Sequence, residues 1–551
     1  MYTFTSRTFS SLAKVFPDEY PPYREVRNLT GLANEELAFQ VAFMADYDSC
    51  RRVQITVSVD SDLAYELFRV ECTPSDMPIY PDHDPYLLRT KPGLYPDLLR
   101  PVAEGDILEA PGGQWQALWI KLPGQKAPGK HKITVTFSDL HGVVLSREQM
   151  TADILAADLP EQTLLHTSWF HTDCLSTWYG VEPMSEEYWR IVENYARTAR
   201  EHGLTLLLTP LFTPPLDTAV GSERPTVQLV DVHVIDGKYS FNFDKLGRWF
   251  DMAHRVGIQW FEMSHLFTQW GAYHAPKIMA WVDGKYRRIF GWETDSLGEE
   301  YEGFLKAFAA ALIPYLQQAG VADHCIFHVS DEPSIDIYDQ YSRCAKLISS
   351  LFPGFKVIDA LSHVDYYEKG VIKCPVPKTP VVEEFLQAGV EKPWAYYCCG
   401  QYKLVSNRFF CMSMARTRVL GMQMYKYDLE GFLQWGFNFW YSQLSKAPID
   451  PFRVSDAGYA FPSGDAYVVY PGPDGQPLCS LRLKAFSEGI NDLRALRLLE
   501  SLIGRKKTLA VLEKGLPKPL TFEVYPRDDE WLLAKRAEIN ACIRRALAKK
   551  N

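Results

Sequence analysis

The chain has 551 residues, 47% of them hydrophobic and 23% charged, which is more than one hydrophobic core organises, so two or three domains are expected. A formal net charge of -10 excludes a nucleic-acid partner, because phosphate backbones are bound by clustered Lys and Arg. No apolar run approaches the roughly 20 residues of a membrane-spanning helix, so no membrane partner is expected. The opening MYTFTSRTFSSLAKVFPDEY lacks the apolar stretch of a secretory signal. Eleven cysteines without a CxxC spacing read as reduced thiols, and a cytoplasmic protein is expected.

From about residue 24 to 158 short alternating runs recur between Pro, Gly and Asp clusters: VQITVSVD (53–60), AYELFRVEC (64–72), WQALWIKLP (115–123) and HKITVTFSD (131–139). That pattern predicts an antiparallel β-sandwich over residues 1–160. After residue 162 the text becomes helix, glycine, strand. Tyr188, Ile191, Val192 and Tyr195 form a helical stripe before Gly203 and LTLLLTPLF; Leu246, Trp249, Phe250 and Ala253 do so before Gly257 and IQWFEMSHLF. A third stripe, Tyr301 to Leu316, precedes Gly320 and HCIFHVSDEP. With HTSWFHTDC (166–174), KVIDALS (356–362), PVV (380–382), WAYYCCG (394–400) and FLQWGFNFWYS (432–442) the strands number eight. The expectation is an α/β chain whose centre is a (β/α)8 TIM-like barrel over 161–450. Strands at 466–471 and 479–483, helical text at 491–502 and a last helix over 528–548 fill 451–551, read as the end of the barrel and a C-terminal cap.

Barrel active sites lie at the C-terminal strand ends. Here those ends offer His171 and Asp173, then His265 and Trp270, then Asp331 and Glu332, then Tyr396 and Tyr397 with Asn407 and Arg408 beyond, and lastly Trp435. Asp331-Glu332-Pro333 is the sharpest of these. Adjacent carboxylates on a regular strand face opposite ways, and they converge only where the strand breaks. Pro333 supplies the break. Alternation sets His328, Ser330 and Glu332 on one side and Phe327, Val329 and Asp331 on the other; the competing reading makes the pair a helix cap.

Together HTSWFHTDCLSTWYG (166–180), FEMSHLFTQWGAYHAPKI (261–278), FHVSDEPS (327–334), YYCCGQYKLVSNRFF (396–410) and LQWGFNFW (433–440) closely resemble glycoside hydrolase family 123 and the related domain-of-unknown-function 4091 group. The resemblance implies a retaining exo-β-N-acetylgalactosaminidase with substrate-assisted catalysis, an exception to the two-carboxylate retaining scheme. It implies that Asp331 orients the 2-acetamido group and Glu332 serves as acid and then base. Trp435 and Trp270 are candidates for stacking on the sugar, and Tyr396 or Tyr397 for bonding the acetamide. His171, Asp173, His265, Asn407 and Arg408 are candidates for hydroxyl recognition. An H-x-D pair with a distant His can also ligate zinc, but substrate assistance needs no metal, and neither metal nor cofactor is expected.

Where relatives carry an Arg-Glu-Gly-Ile-Glu-Asp-Tyr-like stretch, this chain reads Ser487-Glu488-Gly489-Ile490-Asn491-Asp492-Leu493, a departure expected to bear on the last helix rather than the reaction. The expected partner is an oligosaccharide or glycoconjugate with a terminal N-acetylhexosamine. Competing readings are a β-N-acetylhexosaminidase or other glycosidase of different sugar specificity, a catalytically silent glycan-binding protein, and a metal-dependent barrel hydrolase.

Overall fold

Alternating side chains in the first 155 residues build two facing five-stranded sheets. The computed structural model describes residues 3–46, 52–124 and 126–549. One sheet has the order Thr3–Ser10, Leu37–Asp46, Gln116–Leu122, Glu66–Ser75, Gly93–Val102; the other runs Asn28–Leu32, Val144–Leu155, Gly129–Asp139, Arg52–Asp60, Leu108–Pro111. Neighbours are antiparallel except Asn28–Leu32, which runs parallel to Val144–Leu155. In Arg52–Asp60 the residues Val53, Ile55, Val57 and Val59 are buried, and they meet Phe39, Val41 and Phe43 of the opposite sheet. This is period-2 patterning turned into a two-layer core.

Eight parallel strands follow: β1 Leu165–Ser168, β2 Leu206–Thr209, β3 Trp260–Met263, β4 Cys325–His328, β5 Lys356–Leu361, β6 Cys374–Pro377, β7 Trp394–Tyr396 and β8 Gly431–Gln434. β2 to β6 pair in sequence order as one sheet, and β1, β8 and β7 form a second. The sheets are linked at both seams. The Thr205 N–H donates to the His166 carbonyl at 3.0 Å, and Lys378 bridges Tyr396 in parallel register. Every strand sends a side chain into one shared cluster, from Leu165 through Leu208, Trp260, Ile326, Ile358, Val376 and Trp394 to Leu433. Gly431 lies flat against the Trp394 indole, where a Cβ would come within 2.2 Å of the ring.

The stripes read from sequence are buried faces: Tyr188, Leu246, Trp249, Tyr301, Phe304 and Leu312 have no measurable exposure. Their helices end at Gly203, Gly257 and Gly320, all with positive φ, which glycine adopts without steric cost. Several sequence readings need correction. Residues 380–382 are not the sixth strand; that strand is Cys374–Pro377, and Thr379–Val381 is a 3-10 turn leading into a helix. The expected strand at 479–483 shrinks to Pro477–Cys479, because Ser480 caps a helix running Leu481–Ile503. A four-stranded sheet, with Asp231–Ile235 and Lys238–Asn242 pairing beside Ile278–Val282 and Lys285–Phe290, sits in the loops after β2 and β3 and was not anticipated. Its hairpins turn at Asp236-Gly237 and Asp283-Gly284, all four with positive φ, the Asp-Gly signature of a tight hairpin.

The last hundred residues clamp the two regions together. Arg482 donates twice to Asp97 of the sandwich, at 2.8 Å each, with both side chains fully buried. The motif at 487–493 is part of this clamp. Glu488 and Asp492 bind Arg418, Asp492 also binds Arg536, and Arg536 reaches Glu35. Gly489 lets two helices touch: a Cβ on Gly421 would lie 1.7 Å from the Gly489 carbonyl oxygen. No helix among the described residues is long and apolar enough to cross a membrane.

Candidate active site

β4 stops at His328, so strict strand alternation no longer governs Asp331 and Glu332. Glu332 has φ 43°, a left-handed conformation that costs a side-chain-bearing residue energy and is held by its surroundings. The result is that Asp331 and Glu332 line the same cavity at the C-terminal end of the parallel strands, together with Trp169, Trp270, Tyr396, Tyr397 and Trp435.

The two carboxyls differ in their partners. Tyr396 donates its hydroxyl to Glu332 Oε1 at 2.5 Å, and the Cys398 thiol points at the same oxygen at 3.9 Å. Burial pushes the Glu332 carboxyl up, and the Tyr396 hydrogen bond pulls it part of the way back. Burial, the Glu332 charge and then Asp359 hold Asp331 well above the usual carboxylate range. Two adjacent carboxyls of this kind titrate as a pair rather than as two independent acids.

The walls are aromatic. The Trp435 indole N–H donates to Asp465 Oδ2 at 2.8 Å, and Phe461 meets the ring edge-on at 5.4 Å. Trp270, 49% exposed and at φ 59°, donates its backbone N–H to the Asp331 carbonyl at 3.0 Å. Tyr397 is buried, and its hydroxyl has no hydrogen-bond partner among the described residues. Sequence reasoning missed four polar wall residues: Asp217, Gln269, Cys398 and Cys399. The Asp217 carboxyl is pushed up to about 6 by burial. Asp217 and Gln269 lie in loops after β2 and β3, and their only sequence signal is that position.

Five candidates stand off the cavity wall. Asp173 takes two hydrogen bonds from Arg224, at 2.6 and 2.7 Å, in a pair with 2% side-chain exposure on each partner. His171 Nδ1 faces the same Arg224, and its Nε2 faces the Trp435 carbonyl at 2.9 Å, so both residues brace the loop behind Trp435. Asn407 donates to the Cys398 and Gln401 carbonyls, and Arg408 donates to Gln434 and to the Gly436 and Asp465 carbonyls. These bonds tie both residues to the surrounding protein, through backbone carbonyls and the Gln434 side chain. His265 is buried, with its ring centroid 4.3 Å from that of His328 and tilted 31° to it.

Among the described residues, His265, His328 and Asp359 place one ligand atom each within 4.8 Å of the others; His171 and Asp173 are not among them. His328 lies between Glu262, at 2.5 Å from Nε2, and Asp359, at 3.9 Å from Nδ1. Burial disfavours its charge, but the two carboxylates outweigh that and raise it to about 9. Both ring nitrogens of His265 and the Nδ1 of His328 have no hydrogen-bond partner among the described residues.

A carboxyl pair with raised proton affinity, walled by tryptophans at the C-terminal ends of parallel strands, is an arrangement suited to acid–base chemistry on a bound ligand. The family 123 glycoside hydrolase catalytic-domain model matches residues 169–499, and the chain belongs to that family. No curated protein matches it. Among solved structures, a family 123 glycoside hydrolase from Clostridium perfringens, described in connection with glycolipid glycan hydrolysis, has a TM-score of 0.74 at 14% identity, covering 99% of this chain and 98% of that one. A Bacteroides ovatus GH5 xyloglucanase has a TM-score of 0.33 at 10% identity, covering 84% of this chain and 98% of that one, a likeness too loose to carry an argument.

Proposed function

We propose that this glycoside hydrolase is a retaining exo-enzyme that releases terminal β-linked N-acetylgalactosamine, using the substrate's own 2-acetamido group as nucleophile. The observation that carries the reading is the convergence of Asp331 and Glu332 on one cavity with different partners. In this mechanism the acetamido oxygen attacks C1 and forms an oxazolinium ion. Asp331 accepts the acetamido N–H, which favours its ionised form and leaves the shared proton on Glu332. Glu332 then protonates the departing oxygen. Its Oε1 is engaged by Tyr396, so Oε2 is the oxygen assigned to the proton. Water opens the oxazolinium with Glu332 as base, and net retention follows. Trp435 offers a fixed ring for the apolar face of the sugar.

We read the eight strands as a (β/α)8 barrel over 161–450, after a β-sandwich over 1–160 and before a cap over 451–551. Both seam contacts and the single interior cluster support that reading. The proposed substrate is an oligosaccharide or glycolipid glycan ending in N-acetylhexosamine, and the reaction requires no cofactor. Comparing cleavage of nitrophenyl β-N-acetylgalactosaminide with that of the β-galactoside lacking the acetamide tests the reading.

A further inference from the structure

We propose that Asp359 is a positioning residue for the reaction, fixing the turn that presents Asp331 to the acetamido group. This rests on the substrate-assisted reading above.

Asp359 lies on β5, next to β4 in the sheet, and is fully buried. Its Oδ2 accepts the Ser330 backbone N–H at 2.9 Å and the Tyr341 hydroxyl at 2.6 Å. Ser330 immediately precedes Asp331, and it is held a second time by its own hydroxyl, which donates to the Thr268 carbonyl at 2.7 Å. The carbonyl of Asp331 itself receives the Trp270 N–H at 3.0 Å. Asp331 therefore leaves the sheet on a backbone tied to two neighbouring elements, and only the β5 tie is made by a charged group.

A buried carboxylate needs compensation. His328 supplies it from β4: Nδ1 faces Asp359, and Nε2 faces Glu262 on β3, which also takes the Trp169 indole N–H at 2.8 Å and the Thr167 hydroxyl. The groups facing His328 are thus Glu262, Asp359, the tilted ring of His265 and the edge of Trp169. The Asp359–His328–Glu262 array spans β5, β4 and β3 directly beneath the turn. Small displacements of a group aimed at a developing charge lower the rate sharply, so this array is under functional as well as structural constraint.

The test compares Asp359→Ala and Asp359→Asn with the wild type in kcat, KM, thermal midpoint, and affinity for two ligands: free N-acetylhexosamine and the thiazoline that mimics its oxazoline. The expected result for Asp359→Ala is a kcat lower by about 10²-fold with KM within about threefold. Asp359→Asn, which keeps an acceptor for the Ser330 N–H, is expected to recover about tenfold of that loss. Thiazoline affinity should fall in step with kcat while affinity for the free sugar holds. If kcat is unchanged in both variants, or if both ligands weaken equally in step with the thermal midpoint, the proposal is overturned. Should the alanine variant not fold, Asp359→Asn and Tyr341→Phe decide it, since each must lower kcat at nearly constant KM. If the wild type ignores the thiazoline, the substrate-assisted reading fails instead, and the kcat and KM pattern on whichever glycoside is cleaved still decides the role of Asp359.

Discussion

Tyr396 and Glu332 are joined by a 2.5 Å hydrogen bond from the phenol to Oε1, and β7 thereby holds the carboxyl presented by the turn after β4. The bond lowers the proton affinity of Glu332, while burial raises it. Tyr396→Phe removes the lowering influence, so the alkaline limb of the pH–rate profile, where Glu332 loses its proton, should move to higher pH. The rate at the optimum should fall by about tenfold, the worth of a hydrogen bond to a charged group. Full pH profiles of kcat for both proteins check this; a limb that moves to lower pH contradicts it.

The raised affinities of Asp331 and Glu332 also make a stability statement. A carboxyl whose folded pKa lies above its unfolded one contributes stability that is present below the unfolded value and lost as pH rises through the folded value. Burial is the first cause for both residues. Asp331→Asn and Glu332→Gln cannot ionise, so each should melt about 1–2 °C above the wild type at neutral pH, with no advantage near pH 4. Calorimetry across that range is the check, and an advantage that grows as pH falls would be the wrong sign.

Much of this was legible from periodicity. The stripes at Tyr188, Leu246 and Tyr301 marked buried helix faces because a 3.6-residue repeat has no other economical use in a folded chain. The break at Pro333 marked the place where two carboxylates can converge. What the sequence hid follows from short elements and from geometry that only folding creates. Val381 and Val382 are apolar and β-branched, yet they end a 3-10 turn and start a helix, while the true strand, Cys374–Pro377, contains two prolines. The hairpins at Asp236-Gly237 and Asp283-Gly284 carried a readable turn signal that the barrel pattern overshadowed. His171 and Asp173 read as candidates for hydroxyl recognition because their partner Arg224 lies about fifty residues away in sequence.

The cluster around Asp492 accounts for the unusual text at 487–493 as architecture. Asp492→Ala leaves Arg418 and Arg536 buried without their shared carboxylate, and breaking a buried pair in this way costs about 3–5 kcal/mol. Chemical denaturation should show that loss, while the folded variant keeps a near wild-type KM. A change in KM without a change in stability would place this motif in the binding site.

Trp435 is fixed by Asp465 on one side and Phe461 on another. Trp435→Ala should raise KM by about tenfold, in the range expected when an aromatic contact surface is lost, with a smaller effect on kcat. Trp435→Phe should retain more affinity than the alanine variant. Steady-state kinetics on one nitrophenyl substrate settle the order of the three proteins.

The central claim is that the substrate's acetamide is the nucleophile and that Asp331 and Glu332 serve it. The most direct measurement is hydrolysis of nitrophenyl β-GalNAc, β-GlcNAc and β-galactoside by the wild type, Asp331→Asn and Glu332→Gln. The account predicts cleavage of β-GalNAc, negligible cleavage of the galactoside, and loss of at least about 10²-fold in kcat in both variants. Equal cleavage of the galactoside by the wild type would contradict it.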